Sequence, residues 1–315
     1  MFRKNLILTL ALSLAAISPA LAQSTGGLSK VNVETTAGSA GAALFAAKGE
    51  GFFAKHGIDA NITLVNLMPN FPPALVAGSE DVAFMVTTTF LQAIEGGLDL
   101  VAFAGGSATS HKLSPEAVIG ATGTSLKNPP DFIGKKVGVP GIGATLQVMF
   151  RYWLDVNHVD SEKVKYVEVA FPTMRDQLAG HSVDAVVATD PFIAQMVNTK
   201  AGYVATTLNQ VIPENLQLVM YTSTRDWAKS HPKEVAGFRA AIVEGAAFAK
   251  ANPDKTKDDI NVYAKLPAAV MKSVEIGYQL PELKPEMIAW WIDAMKQQHM
   301  LNTTPDVTKL IWKAP

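Results

Sequence analysis

No cysteine occurs in the 315 residues. A chain of this length can build its core without disulfides. The absence also removes thiolate metal ligands and a Cys–His nucleophile pair. It leaves no acceptor for a lipid anchor behind a leader. Basic charge is not in excess, with 27 Lys and Arg against 28 Asp and Glu. No Lys/Arg run interleaved with aromatics appears, so nucleic acid is not an expected partner. The six histidines, at 56, 111, 158, 181, 231 and 299, are too scattered for a metal cluster. No Gly-x-Ser-x-Gly elbow and no His-Glu-x-x-His motif is present. No metal, no cofactor and no catalytic residue is therefore expected. Long apolar runs are missing too, apart from Leu6–Ile17 at the start. That run is shorter than the roughly 20 residues of a membrane span.

Arg3 and Lys4 precede this run, and Ala20-Leu21-Ala22 follows it. A charged start, an apolar stretch and a small-x-small tripeptide describe an export signal. Residues 1–22 are expected to be cleaved, leaving Gln23 first. The remainder carries 25 Lys and Arg against 28 Asp and Glu, a net charge of −3. Its length suits two domains of ordinary size.

Short β-rich runs alternate with helical ones, the pattern of an α/β protein with mainly parallel sheets. Strands are predicted at Val31–Thr35, Ala60–Val65, Val82–Val86 and Val101–Ala104. Helices are predicted around Ala42–Ala54, Pro72–Ala77 and Thr89–Ile94. The chain also repeats itself. Lys30–Val33 has a counterpart in Lys136–Val139, and Asp81–Phe84 in Asp184–Val187. Each aspartate follows a Leu…Gly helix end, Leu75–Gly78 or Leu178–Gly180. We expect two similar lobes, with the second at 123–220. From Ser230 onward the pattern is almost wholly helical, and these helices must cover a lobe. Lobe one is thus expected to be discontinuous, 28–122 and 221–315. The crossings fall near Gly120–Leu126 and Leu218–Thr224.

In open parallel sheets, ligands bind beyond the carboxyl ends of the strands. Six loops qualify. Lobe one supplies Thr36, Gly38, Ser39, Asn66, Phe71, Thr87 and Thr88. Lobe two supplies Gly141, Gly143, Thr145, Phe171, Arg175, Thr189, Asp190 and Phe192. Hydroxyls dominate this set, and each can donate or accept. The Gly141–Thr145 turn opens a helix, where free N–H groups favour an anion. It reads equally as a plain strand-to-helix turn. Arg175 is either a fork for an anionic head group or a surface arginine. Asp190 either accepts from a ligand amine or serves the turn before Pro191. The phenylalanines are pocket walls or core.

Ala46-Ala47-Lys48-Gly49-Glu50-Gly51-Phe52-Phe53, then Gly57-Ile58-Asp59, resembles the N-terminal signature of a known family. Phe132–Val137, Asp190-Pro191-Phe192 and Ser230-His231-Pro232 also fit it. The family is the periplasmic binding proteins of alkanesulfonate, taurine and nitrate type ABC importers. It includes proteins related to pyrimidine-precursor synthesis in thiamine metabolism. The resemblance implies a two-lobed type II periplasmic binding protein fold, with the ligand in the cleft between the lobes. It implies a monomer in the periplasm that serves a permease and an ATPase in other chains. The expected ligand is a small organic anion, a sulfonate or carboxylate. A neutral or aromatic heterocycle such as a pyrimidine is the alternative, and a periplasmic enzyme on the same fold a third. The family's enzyme branch uses a cysteine-rich iron motif, which this chain cannot supply.

Overall fold

A computed structural model describes residues 27–113 and 115–313; the expected leader, residues 1–22, lies outside them. Twelve strands follow along the described chain. The first five are β1 (Ser29–Thr35), β2 (Ile58–Leu64), β3 (Val82–Val86), β4 (Leu100–Gly105) and β5 (Ser107–Ala108). Next come β6 (Glu116–Ala121), β7 (Lys136–Val139), β8 (Lys165–Glu168), β9 (Ala185–Thr189) and β10 (Gly202–Thr207). β11 (Val219–Thr224) and β12 (Tyr278–Gln279) complete the set.

They form two five-stranded sheets, ordered β2-β1-β3-β11-β4 and β10-β6-β9-β7-β8, plus the small ladder β12-β5. Three neighbours run parallel in each large sheet, β2-β1-β3 and β8-β7-β9. An antiparallel strand follows in each, β11 beside β3 and β6 beside β9. The two orders are the same plan executed twice, as the sequence repeat predicts. The repeated aspartate has a matching task in each lobe. Asp81 Oδ2 accepts from Asn32 N–H at 2.8 Å, and Asp184 Oδ2 accepts from Lys136 N–H at 2.8 Å. Each carboxylate thereby fixes the start of its parallel pair. Helices cover both faces of such strands, so β9 is buried along its whole length.

The crossings differ from expectation. β6 pairs within the second sheet and β11 within the first. The chain therefore changes lobes between β5 and β6, and returns between β10 and β11. The two connections are laced together. Thr109 Oγ1 donates to Pro213 O at 2.6 Å, and Leu216 N–H returns to Thr109 Oγ1 at 2.9 Å. Two laced connections form a hinge on which the lobes can turn without separating.

The predicted helix over 42–54 is broken in two, Ala42–Gly49 and Phe52–Lys55. Gly51 takes φ +75° between them, a left-handed turn that suits glycine. The helix Pro232–Ala251 packs on Ala42–Gly49, as expected for a cover of lobe one. Gly245 permits this approach, since a Cβ there would strike Ala43 O. The helix Glu286–Gln297 reaches further than expected. Its Trp290 ring stands 5.0 Å from Tyr152 of lobe two, and Gln298 Nε2 donates to Val148 O at 3.0 Å.

Candidate functional site

The carboxyl ends of both parallel trios point into one cleft, and the lobes meet across it. Ser39 N–H donates to Asp190 O at 2.7 Å, and Met68 N–H to Pro140 O at 3.3 Å. Thr88 Oγ1 and Thr145 Oγ1 lie 3.3 Å apart across the gap. Between these contacts the lobes border a partly open cavity of about 50 Å³. Met68, Phe84, Val86, Leu146, Leu218 and Val219 supply apolar wall. The polar lining is four hydroxyl residues, Thr36, Ser107, Thr145 and Thr189, and one acid, Glu116. Among the described residues, no lysine or arginine lines it.

The predicted residues divide into three groups. Thr36, Thr145, Phe171 and Thr189 line the cavity itself. Asn66 and Phe192 line an outer depression of about 290 Å³, which shares Thr36 and Phe171 with the inner cavity. The Phe171 and Phe192 rings stack there, 4.9 Å apart and 4° from parallel. Gly38, Ser39, Thr88 and Gly141 sit where the lobes touch. A Cβ at Gly38 would lie 3.5 Å from Thr189, and one at Gly141 would lie 3.1 Å from Pro69.

Gly143 belongs to the turn described below, and the remaining four do other work. Phe71 is fully buried in the core of lobe one. Thr87 Oγ1 is committed to Gln217 O at 2.6 Å. Arg175 faces away from the cleft. It pairs with Asp176 at 2.6 Å and borders a separate depression with Thr122, His181 and Lys200. Helix phase explains this, because Met174 is the residue of that turn that points inward. Asp190 has both carboxylate oxygens taken. Oδ1 accepts from Ala194 N–H at 3.0 Å and Oδ2 from Glu275 N–H at 2.7 Å. It ties lobe two to the C-terminal segment instead of presenting an acceptor to a ligand. Burial pushes its pKa up to about 6, with those two N–H groups opposing the rise.

The Gly141–Thr145 turn is partly occupied as well. Ile142 N–H donates to Glu168 Oε1 at 3.0 Å, and Gly143 N–H to Gln147 Oε1 at 2.6 Å. The N–H groups of Thr145 and Leu146, in the helix's first turn, are the ones left for a ligand.

Glu116 was not foreseen. It opens β6, is 3 % exposed, and its Oε2 accepts from Asn209 Nδ2 at 2.9 Å. Burial pushes its pKa up to about 8; Asn209 pulls it back, and the charges of Asp190 and Glu275 add to the rise. The side chain is therefore largely a neutral acid at pH 7. Its sequence signal was slight, one acid ahead of the apolar run Ala117–Ile119. Two further cavity groups, Ser107 Oγ and Thr189 Oγ1, are buried without a hydrogen-bond partner. An unpaired buried group of this kind costs about 1–3 kcal/mol. A guest that pairs them recovers that cost. Among the described residues no group of three His, Asp or Glu side chains could hold a metal ion.

Comparison with known proteins gives concordant matches. Residues 40–256 match the family model described as NMT1/THI5 like. The chain is 26% identical over 121 residues to a nitrate/nitrite binding protein of Nostoc sp., covering 38% of this chain and 27% of that protein. It is 23% identical over 225 residues to a binding protein of Brucella abortus, covering 71% of this chain and 68% of that one. Its structure is similar to the alkanesulfonate-binding protein of Xanthomonas axonopodis, with a TM-score of 0.79 at 14% identity over 91% of this chain and 99% of that one. The periplasmic nitrate-binding protein of Synechocystis gives a TM-score of 0.74 at 17% identity over 89% and 84%. These likenesses fix the fold as the two-lobed periplasmic binding protein fold.

Proposed function

The chain belongs to the NMT1/THI5-like family, and on that premise we propose that it is a periplasmic solute-binding protein of an ABC importer that closes over a small uncharged molecule. The structural relatives bind alkanesulfonate or nitrate by name, which supports binding and delivery over catalysis. A permease and an ATPase in other chains would receive the solute. Export follows from the leader-like residues 1–22.

The ligand class rests on one observation. Among the described residues, the interlobe cavity has apolar walls, hydroxyls and one acid held neutral by burial, and no lysine or arginine. Burying an unpaired anion beside Glu116, with Asp190 and Glu275 close behind, is unfavourable. This turns the reading from an organic anion toward the neutral or aromatic heterocycle. The anion reading keeps one support, the Thr145 and Leu146 N–H groups at a helix start.

A thermal-shift screen of the leaderless protein separates the two. Binding to the native form raises stability by about 2.7 kcal/mol when free ligand is about 100 times its Kd. Neutral heterocycles are expected to raise the melting temperature, and sulfonates, nitrate and carboxylates to leave it unchanged. The opposite ranking would return the anion reading to first place.

A further inference from the structure

We propose that Glu116, with Thr189 Oγ1 and Ser107 Oγ beside it, reads a neutral donor–acceptor edge of the solute: an N–H next to a C=O or next to a ring nitrogen. This rests on the cleft-binding reading above and deepens it.

Three observations converge. Glu116 and Thr189 are directly paired residues of β6 and β9, and both line the cavity. Directly opposed side chains of an antiparallel pair lie about 5 Å apart, close enough to meet one small group. Ser107 belongs to β5 of the small β12-β5 ladder, beside the crossing, and lines the same cavity. The two hydroxyls have no hydrogen-bond partner among the described residues. The walls around them are largely apolar, so a polar guest is what completes the constellation.

The chemistry of the guest follows from the state of the acid. The titratable groups that bear on Glu116 are Asp190 and Glu275, both acidic, and its hydrogen-bond partner Asn209 is neutral. A guest anion would add a further negative charge to this group. A protonated carboxyl offers one O–H donor and one carbonyl acceptor on a single edge. Asn209 Nδ2 holds Oε2 while also donating to Leu113 O at 2.9 Å. One carboxyl edge thus remains for an amide, lactam or amino-azine group of matching pattern. Glu116 opens β6 directly after the outward crossing, and Asn209 lies on the returning one. A guest on this edge therefore bears on the hinge itself.

The test uses the leaderless chain and three probes in isothermal titration. 2-Pyridone carries the edge, N-methyl-2-pyridone has the same shape without the donor, and methanesulfonate is the anion. 2-Pyridone is expected to bind at least about tenfold tighter than either of the others, since a site built for an N–H rejects the analogue lacking it. Its affinity should fall as pH rises past 8 and Glu116 ionises. Glu116→Gln keeps a donor and an acceptor, so binding should stay within about threefold and lose that pH dependence. Glu116→Leu and Thr189→Val should each weaken 2-pyridone while still unfolding cooperatively. Methanesulfonate binding as tightly as 2-pyridone would overturn the inference and leave the cleft-binding reading standing. So would full affinity in Glu116→Leu, or equal losses in the Gln and Leu variants. Binding of no probe by the wild type would sink both.

Discussion

Replacing Glu116 by glutamine should make the unliganded protein more stable from neutral pH upward, and not at pH 5. Burial lifts this carboxyl from 4.5 to about 8. A carboxyl whose folded pKa is raised holds its proton more tightly in the native state than in the unfolded one. Stability is therefore lost as pH rises from 4.5 through 8, and the loss is complete above 8. At 1.36 kcal/mol per unit, the full loss is about 4–5 kcal/mol. Glutamine cannot ionise, and its carbonyl can still accept from Asn209. The variant escapes the loss at a fixed cost of about 1 kcal/mol for the altered hydrogen bond. The assay is denaturant unfolding of both proteins at pH 5 and pH 9. Groups common to both proteins, including the buried Glu34 with its pKa also near 8, largely cancel in the comparison. The stability difference should move by about 3–4 kcal/mol in favour of glutamine between the two pH values. Curves that stay parallel across that range would refute the assignment of Glu116 as a buried neutral acid.

Three other substitutions probe separate parts of the account. Asp190→Asn leaves either Glu275 N–H or Ala194 N–H without its acceptor, and should cost about 1–3 kcal/mol. It should also loosen the lobes, read as a larger radius of gyration by small-angle scattering; an unchanged radius would contradict its role as an interlobe tie. Gly245→Ala forces a methyl group against Ala43 O and should destabilise by about 1–3 kcal/mol, visible as a lower melting temperature. Arg175→Ala removes an exposed pair with Asp176 worth at most about 1 kcal/mol, and should leave ligand affinity unchanged in calorimetry. A tenfold loss would place Arg175 back in the cleft.

The parts of the fold legible in sequence were those fixed by local pattern. Val82–Val86 and Phe71–Ala77 are bounded by helix caps and turns that act within a few residues, so their limits lie within a residue of expectation. The two-lobed repeat was legible because Asp81 and Asp184 perform the same bond at the same place. The crossings were not. Ala117–Ala121 is an apolar run and Val219–Thr224 a β-prone one; either sheet could accept them, and their pairing partners are distant in sequence. Site residues divided on the same line. Thr145 and Thr189 follow from the rule that strand ends face the cleft. Arg175 departed from it because one step along a helix turns a side chain by about 100°. Glu116 stayed hidden because an acid beside an apolar strand looks solvated until the opposite lobe is seen to cover it.

The central claim is that a solute is enclosed between the lobes by hydroxyls and a neutral acid, without a cation. A crystal structure of the leaderless protein with the tightest solute from the screen tests it most directly. Density is expected in the cavity bounded by Glu116, Thr145, Thr189 and Ser107, with a polar edge of the solute within about 3.2 Å of the Glu116 carboxyl. A solute seated instead beside Arg175, His181 and Lys200, with the interlobe cavity unchanged, would contradict it.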